Sequence, residues 1–339
     1  MTIHEARQLE AWDYTFGVEI ETIVPHGVPF RIGGYYSGAE LCETLTGVSC
    51  GAWKASSDVS IVRGNDQDCE FVSPILKGAE GLEDVGRMCQ FAKDHGARVN
   101  KSCGVHVHVG LPNCLSKKER AAVVERLANF VGRVEAGIIA TTGTRNRYVA
   151  NQWCAPIKHK VRQTRWGKTS LRMNDISGNR YHGLNLVPVT MMDTDPTDRK
   201  ARNAVEFRYF SGSLNETKIK AWIKMCVAMV QYAVKSTKRS KPNCAPATRT
   251  KYDAPTQAER ELNRLFHSIG WIGGFCTHER LGHVDGGLDP REINILRKMA
   301  NKFGTQTGRI HDFPEFDTND DGVPYSERRR QSQEQTAAA

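Results

Sequence analysis

Cys103-Gly104-Val105-His106-Val107-His108-Val109-Gly110 alternates apolar and polar residues from Val105 to Val109. A period of two is the mark of a strand buried on one face. Successive side chains on a strand point to opposite faces, so His106 and His108 share one face. Val105, Val107 and Val109 share the other, which is the core side. Gly104 and Gly110 bracket the strand and let backbone or ligand come close. On this stretch alone the two imidazoles read equally as a site or as polar residues on a wetted sheet face. The choice turns on what the other strands carry.

Residues 15–24 read Thr-Phe-Gly-Val-Glu-Ile-Glu-Thr-Ile-Val. Phe16, Val18 and Ile20 take one face; Gly17, Glu19 and Glu21 take the other. Carboxylates ~6 Å apart repel by roughly 3 kcal/mol at an effective dielectric of 20. On a solvated edge, salt bridges would absorb that. In a partly buried cleft, a raised pKa or a bound cation must offset it. Residues 204–210, Ala-Val-Glu-Phe-Arg-Tyr-Phe, place Val205, Phe207 and Tyr209 on a core face. Glu206 and Arg208 lie opposite, where an acid and a base could also simply neutralise each other. Residues 69–74 form a strand ended by Pro74, with Glu70 as its single carboxylate. Residues 53–61 predict a strand with Asp58 and Ser60 on one face. Residues 180–187, with Arg180 and Asn185, predict another.

Helical spacing fills the gaps. A short helix is expected over 39–45. A second covers 81–95, with Leu82, Val85, Met88, Cys89 and Ala92 as its apolar stripe. Ser116 and Glu119 form a capping box ahead of a third helix that runs to about 139. Asn215 caps a fourth that runs to about 236, broadly apolar and expected to pack under the sheet. Two more are expected over 259–269 and 289–303. The predicted fold is α+β: a curved, mainly antiparallel sheet with a polar concave face and helices on the other. Residues 1–13 read as a loose lead-in and 14–236 as the catalytic domain. A linker (237–255), a helical appendage (256–312) and a disordered tail (313–339) follow. In the tail, Asp317, Asn319 and Asp321 resemble a calcium loop, but Arg328 stands where its closing acid belongs.

The 339 residues carry a formal charge of +9, and 39% are hydrophobic, the balance of a soluble protein with a sizeable core. No apolar run suits a membrane span or a secretory signal, so a cytoplasmic protein is expected, or one in the host cytoplasm if viral. Ten cysteines without a C-x-x-C pair read as reduced thiols. Residues 136–174 contain no acid but hold Arg145, Arg147, Lys158, Lys160, Arg162, Arg165, Lys168 and Arg172. Such a segment draws phosphates, nucleic acid or an acidic substrate. Arg145 and Arg147 stand in a loop able to cradle phosphate.

Paired polar groups on one sheet face make an oxygen-rich set with one or two imidazoles. That set suits Mg²⁺ or Mn²⁺ better than Zn²⁺. Two such ions can clamp nucleotide phosphates.

Phe16-Gly17-Val18-Glu19-Ile20-Glu21, the 103–110 strand and Val205-Glu206-Phe207-Arg208 resemble the signature strands of the amidoligase family. So do Ser57-Asp58-Val59-Ser60 and Glu70-Phe71-Val72-Ser73-Pro74. That family belongs to the glutamine synthetase and glutamate–cysteine ligase superfamily of carboxylate–amine ligases. The motifs occur in the family's order over residues 14–235. The resemblance implies a glutamine synthetase-like catalytic domain and ATP-dependent amide formation through an acyl phosphate. It puts metal ligands on Glu19, Glu21, Glu70, His106 and Glu206, and catalytic roles on Glu19, Glu206 and Arg208. His108, Asp58, Ser60, Arg145, Arg147, Arg180 and Asn185 become candidate contacts for nucleotide or substrate. Val59 departs from the family's usual glycine, and the basic segment has no family match. The partners implied are a carboxylate and an amine, which a peptide or other biopolymer could carry; members of the superfamily often form homo-oligomers. Two other functions fit the same residues: nucleic-acid binding by the basic segment with Trp153 and Trp166 on an inactive fold, and metal-dependent hydrolysis.

Overall fold

A computed structural model of the chain describes residues 2–142, 153–157, 161–163, 169–171, 173–237, 255–269, 292 and 295–300. The strands are β1 (Thr15–Val24), β2 (Ala39–Glu40), β3 (Lys54–Ser56), β4 (Gln67–Val72), β5 (Leu76–Lys77) and β6 (Gly104–Gly110). After them come β7 (Val161–Gln163), β8 (Thr169–Leu171), β9 (Leu184–Asn185) and β10 (Ala204–Ser211). β7 and β8 pair only with each other. The rest build one curved sheet in the order β2-β3-β4-β1-β6-β10-β9, with β5 also on β1. Every pairing between these strands is antiparallel. The architecture is therefore the expected α+β fold, and the four motif-bearing strands β4, β1, β6 and β10 are direct neighbours.

Alternation decides the two faces. Val18, Ile20, Phe71, Val105, Val107, Val109, Val205 and Phe207 are all buried in one core. Among the helices α1 (Ile3–Ala6), α2 (Glu43–Thr46), α3 (Gly78–Asp94) and α4 (Lys117–Ala140), the last two carry the expected apolar stripes. The later helices are α5 (Met173–Ser177), α6 (Val187–Thr194), α7 (Glu216–Lys235) and α8 (Pro255–Ser268). α7 packs on β6, α3 and α4, and α4 also packs on β10. The capping box forms as the sequence requires: Ser116 Oγ accepts the Glu119 N–H, and the Glu119 carboxylate accepts the Ser116 N–H at 2.9 Å. Asn215 accepts the Lys218 N–H at 3.0 Å. Trp222 of α7 is fully buried, stacks on Phe210 at 4.9 Å and donates its indole N–H to Thr141 O at 3.1 Å.

Five local expectations differ. Residues 39–45 are not one helix. β2 comes first and α2 follows, ended by Gly47 at φ 71°, which glycine adopts without strain. The strand expected over 53–61 stops at Ser56, because Asp58 Oδ1 accepts the Ser60 N–H at 2.7 Å. That local turn removes Asp58 and Ser60 from a shared strand face. The strand over 180–187 shrinks to β9, since Pro188 in the first turn starts α6, which runs to Thr194. In β10 the register shifts between Phe207 and Phe210, so Phe210 rather than Tyr209 faces Val105. The lead-in is ordered: Thr2 and Glu5 form a capping box, Ala6 is buried, and Gln231 donates to Leu9 O at 3.0 Å.

α8 lies tightly on α4. A Cβ at Gly137 would stand 2.4 Å from the Leu262 backbone nitrogen, and the Glu261 carboxylate accepts the Ala136 N–H at 2.9 Å. Leu262, Leu265 and Phe266 join the main core. The calcium-like stretch, Arg145, Arg147 and Trp166 lie outside the described residues.

Candidate active site

Register brings the polar residues together. Glu19 faces His106 across β1 and β6, and Glu21 faces Glu70 across β1 and β4. Glu206 faces His108 on one side and Asn185 on the other. Gly17 faces His108, so no β1 side chain competes for that space. His106 sits between two carboxylates, with Nδ1 2.9 Å from Glu19 Oε2 and Nε2 3.2 Å from Glu21 Oε1. His108 Nε2 lies 3.0 Å from Glu19 Oε1. Arg208 donates to Glu206 Oε1, and Asn185 Nδ2 donates to Glu206 Oε2. His106, Glu21, Glu206 and Arg208 are all buried.

The electrostatics divide the carboxylates. Burial raises the Glu70 carboxyl well above its usual range, and the charges of Glu19, Glu21 and Asp58 push the same way. Burial also acts to raise Glu19 and Glu206. For Glu19 the His108 charge and hydrogen bonds with both histidines overcome it and hold the carboxyl well below the usual range. For Glu206 the Arg208 and His108 charges outweigh burial and lower the carboxyl. Burial opposes a charge on His108, yet the Glu19 carboxylate lifts its pKa to about 9.

In each of three overlapping sets the donor atoms lie within 4.8 Å of one another: Glu19, Glu70 and His106; Glu19, His108 and Glu206; Glu21, Asp58 and Glu70. Five carboxylates and two imidazoles in so small a volume fit hard divalent cations such as Mg²⁺ or Mn²⁺. Burial raises Glu70 most, and the repulsion that Glu19, Glu21 and Asp58 add is an excess of negative charge that a cation would relieve. All five expected ligands are in these sets. Asp58 and His108, expected as nucleotide or substrate contacts, join the ligand-capable groups. Ser60 is in none of them; its N–H binds Asp58.

The cluster opens into a cleft of about 1060 Å³ along the sheet's polar face, lined by Gly17, Glu19, His108, Asn185 and Glu206 among others. Arg180 also lines it and donates to Tyr35 Oη at 3.2 Å. Trp153, put forward for nucleic-acid stacking, instead packs edge-on against Tyr181 at 5.1 Å, and its carbonyl accepts from Arg208 Nε at 3.4 Å.

Sequence reading missed Glu135. This buried acid on α4 accepts the Tyr209 hydroxyl at 2.6 Å and the Ile157 N–H at 2.8 Å. It thereby ties the strand residue after Arg208 to the segment whose Trp153 carbonyl touches Arg208. Its only signal was a glutamate within the otherwise apolar run 134–140. Lys54, Lys200 and Arg202, which line the cleft, were also missed, because their placement depends on chain crossings far from the motifs.

An antiparallel sheet with a carboxylate–imidazole cluster at the foot of an open cleft makes a site whose donor atoms could hold a divalent cation. The chain belongs to the family described as "Putative amidoligase enzyme", whose model matches residues 13–230. Membership supports a carboxylate–amine ligase. Among solved structures, the chain is similar to a bifunctional glutathione synthetase from Pasteurella multocida (10% identity, TM-score 0.46). That match covers 89% of this chain and 48% of the other. It is also similar to the structure of the complex between the prokaryotic ubiquitin-like protein Pup and its ligase PafA (12% identity, TM-score 0.45). Here 98% of this chain and 71% of the other are covered. The chain thus spans about half the length of the first. No curated protein matches the chain. No helix among the described residues is long and apolar enough to cross a membrane.

Proposed function

We propose that the protein is an ATP-dependent carboxylate–amine ligase that works through an acyl phosphate. The observation that carries this is the convergence of Glu19, Glu21, Glu70, His106 and Glu206 from four neighbouring strands into overlapping donor sets. Family membership supports the same reading. Glu19, Glu21, Asp58, Glu70, His106, His108 and Glu206 hold Mg²⁺ or Mn²⁺. Divalent cations bound there supply the positive charge that a triphosphate needs beside so many carboxylates. The γ-phosphoryl passes from ATP to the substrate carboxylate, giving ADP and an acyl phosphate. An amine then attacks the acyl carbon, loses a proton and expels phosphate, leaving the amide. Arg208 steadies the phosphoryl group in flight. Glu206 and the Trp153 carbonyl orient Arg208, and Asn185 orients Glu206. Arg180 holds a phosphate or carboxylate oxygen.

The test is ADP release with ATP, Mg²⁺ and a panel of acid and amine pairs. Release should depend on both organic substrates, and Glu19→Ala or Glu206→Ala should lower it at least a hundredfold. Undiminished ADP release in either variant overturns the site. Breakdown of an amide without ATP would instead point to a hydrolase.

A further inference from the structure

The cleft does not end at the carboxylates. Along the polar face, successive cross-strand rows read Glu21 and Glu70, then Glu19 and His106, then Gly17, His108 and Glu206. The next row holds Lys77 beside Thr15 on β1, and Gly110 beside Ala204. Beyond Glu206, the sheet floor carries Thr15, Gly110 and Ala204, with Gly17 ahead of them; Lys77 beside Thr15 and Asp13 just before it also line the cleft and face each other at 3.9 Å. A Cβ at Gly110 would lie 2.2 Å from Thr15 Oγ1, so any side chain there would displace the Thr15 hydroxyl. Four residues of strand separate Glu19 from Thr15, or about 13 Å.

Charge reverses along the same path. Lys200 and Arg202, which precede β10 and its first residue Ala204, also line the cleft. Neither is ion-paired with a carboxylate among the described residues, and the Arg202 guanidinium donates to the Arg199 and Ala201 carbonyls. Lys54 lines the flank, in a loose, exposed pair with Glu40 at 3.8 Å. The cleft thus runs from a cation-seeking end to one where Lys200 and Arg202 stand without a carboxylate partner among the described residues and the carboxylate of Asp13 already faces Lys77. A triphosphate on metals would occupy the first end. The second matches an anionic group on the other substrate.

We propose that this extension is the acyl-substrate groove, and that it takes an elongated acid. The reacting carboxylate lies at the carboxylate–histidine cluster, and a second anionic group about 13 Å away lies against Lys200 and Arg202. The inference rests on the ligase reading for which carboxylate reacts, but the charge pattern stands by itself.

The probes are matched four-residue peptides with a free C-terminal carboxylate and either glutamate or glutamine at the far end. An extended chain of that length spans about 13–14 Å. Hydroxylamine serves as the amine, so an acyl phosphate is trapped as hydroxamate with release of phosphate. The glutamate peptide should be preferred at least tenfold in kcat/KM. Lys200→Glu, alone and with Arg202→Glu, should erase that preference while the KM for ATP stays within twofold. Equal use of the two peptides, or a preference that survives both variants, overturns the groove. A rise in the KM for ATP alone overturns it too, because the nucleotide would then occupy this end. If no acid supports turnover, anisotropy of the labelled peptides decides. Selective binding of the glutamate peptide that Lys200→Glu abolishes upholds the groove and sinks the ligase reading. Absence of that selectivity sinks both. Lys200 and Arg202 are exposed, so both variants should fold.

Discussion

The two faces of β1, β6 and β10 are built from alternate residues of the same strands, yet they obey opposite rules. On the helix side, Val18, Ile20, Val105, Val107, Val109, Val205 and Phe207 each gain from burial with no condition attached. On the cleft side, Glu21, His106, Glu206 and Arg208 are as deeply buried, and every one needs a partner. Packing is local and additive; a buried polar cluster succeeds or fails as a whole. The comparison teaches that this fold is held by one face while the other is kept in a state that only pairing, or a bound cation, makes tolerable.

Truncating the packed face should do most damage. Phe207→Ala should cost about 3–5 kcal/mol in urea unfolding, because Phe207 is fully buried beneath the helices. A loss under 1 kcal/mol would mean that this face is not the main source of stability. On the polar face, Mg²⁺ or Mn²⁺ at a hundred times its dissociation constant should stabilise the protein by about 2.7 kcal/mol in thermal unfolding. Glu19→Gln should remove that gain, and an unchanged gain would place the cation elsewhere.

Away from the cleft, Asp84 of α3 accepts the Ser49 N–H at 3.0 Å and the Cys50 N–H at 2.7 Å and pairs with Arg87. Burial acts to raise its carboxyl, but these donors hold it below the usual range. Asp84→Asn should therefore cost about 1–3 kcal/mol at neutral pH. A carboxyl whose folded pKa is depressed stabilises above its unfolded value of about 3.9, and that stability is lost as pH falls through the folded value. The difference between variant and wild type should accordingly vanish in acid; a gap that persists there would contradict this role. The smallest effect should have the opposite sign. Glu70→Gln, in chelator at neutral pH, should raise stability by on the order of 1 kcal/mol, because a carboxyl raised well above its usual range opposes folding at neutral pH and the amide does not titrate. A loss of stability would show that Glu70 is already satisfied without a cation.

Most of the site was legible because strand alternation is a local property. Given Glu19, Glu21, His106, Glu206 and Arg208 on alternating strands, one face had to collect them once the strands paired. Glu70 followed from its strand and the family motif. Asp58 and Ser60 were misread because a side chain-to-backbone turn ended the strand at Ser56, and such competition leaves no periodic trace. The bulge in β10 was hidden for a similar reason, since alternation looks unbroken until the partner strand's register is known.

The sequence by itself determined which residues face the core and which face the cleft, because the pleat and burial of alternate side chains require no knowledge of the partner. Only the tertiary structure decided which carboxylate meets which histidine, that Glu135 reaches under β10, and that Lys200 and Arg202 line the cleft. Those contacts join segments dozens of residues apart, and cross-strand register, not local preference, fixes them.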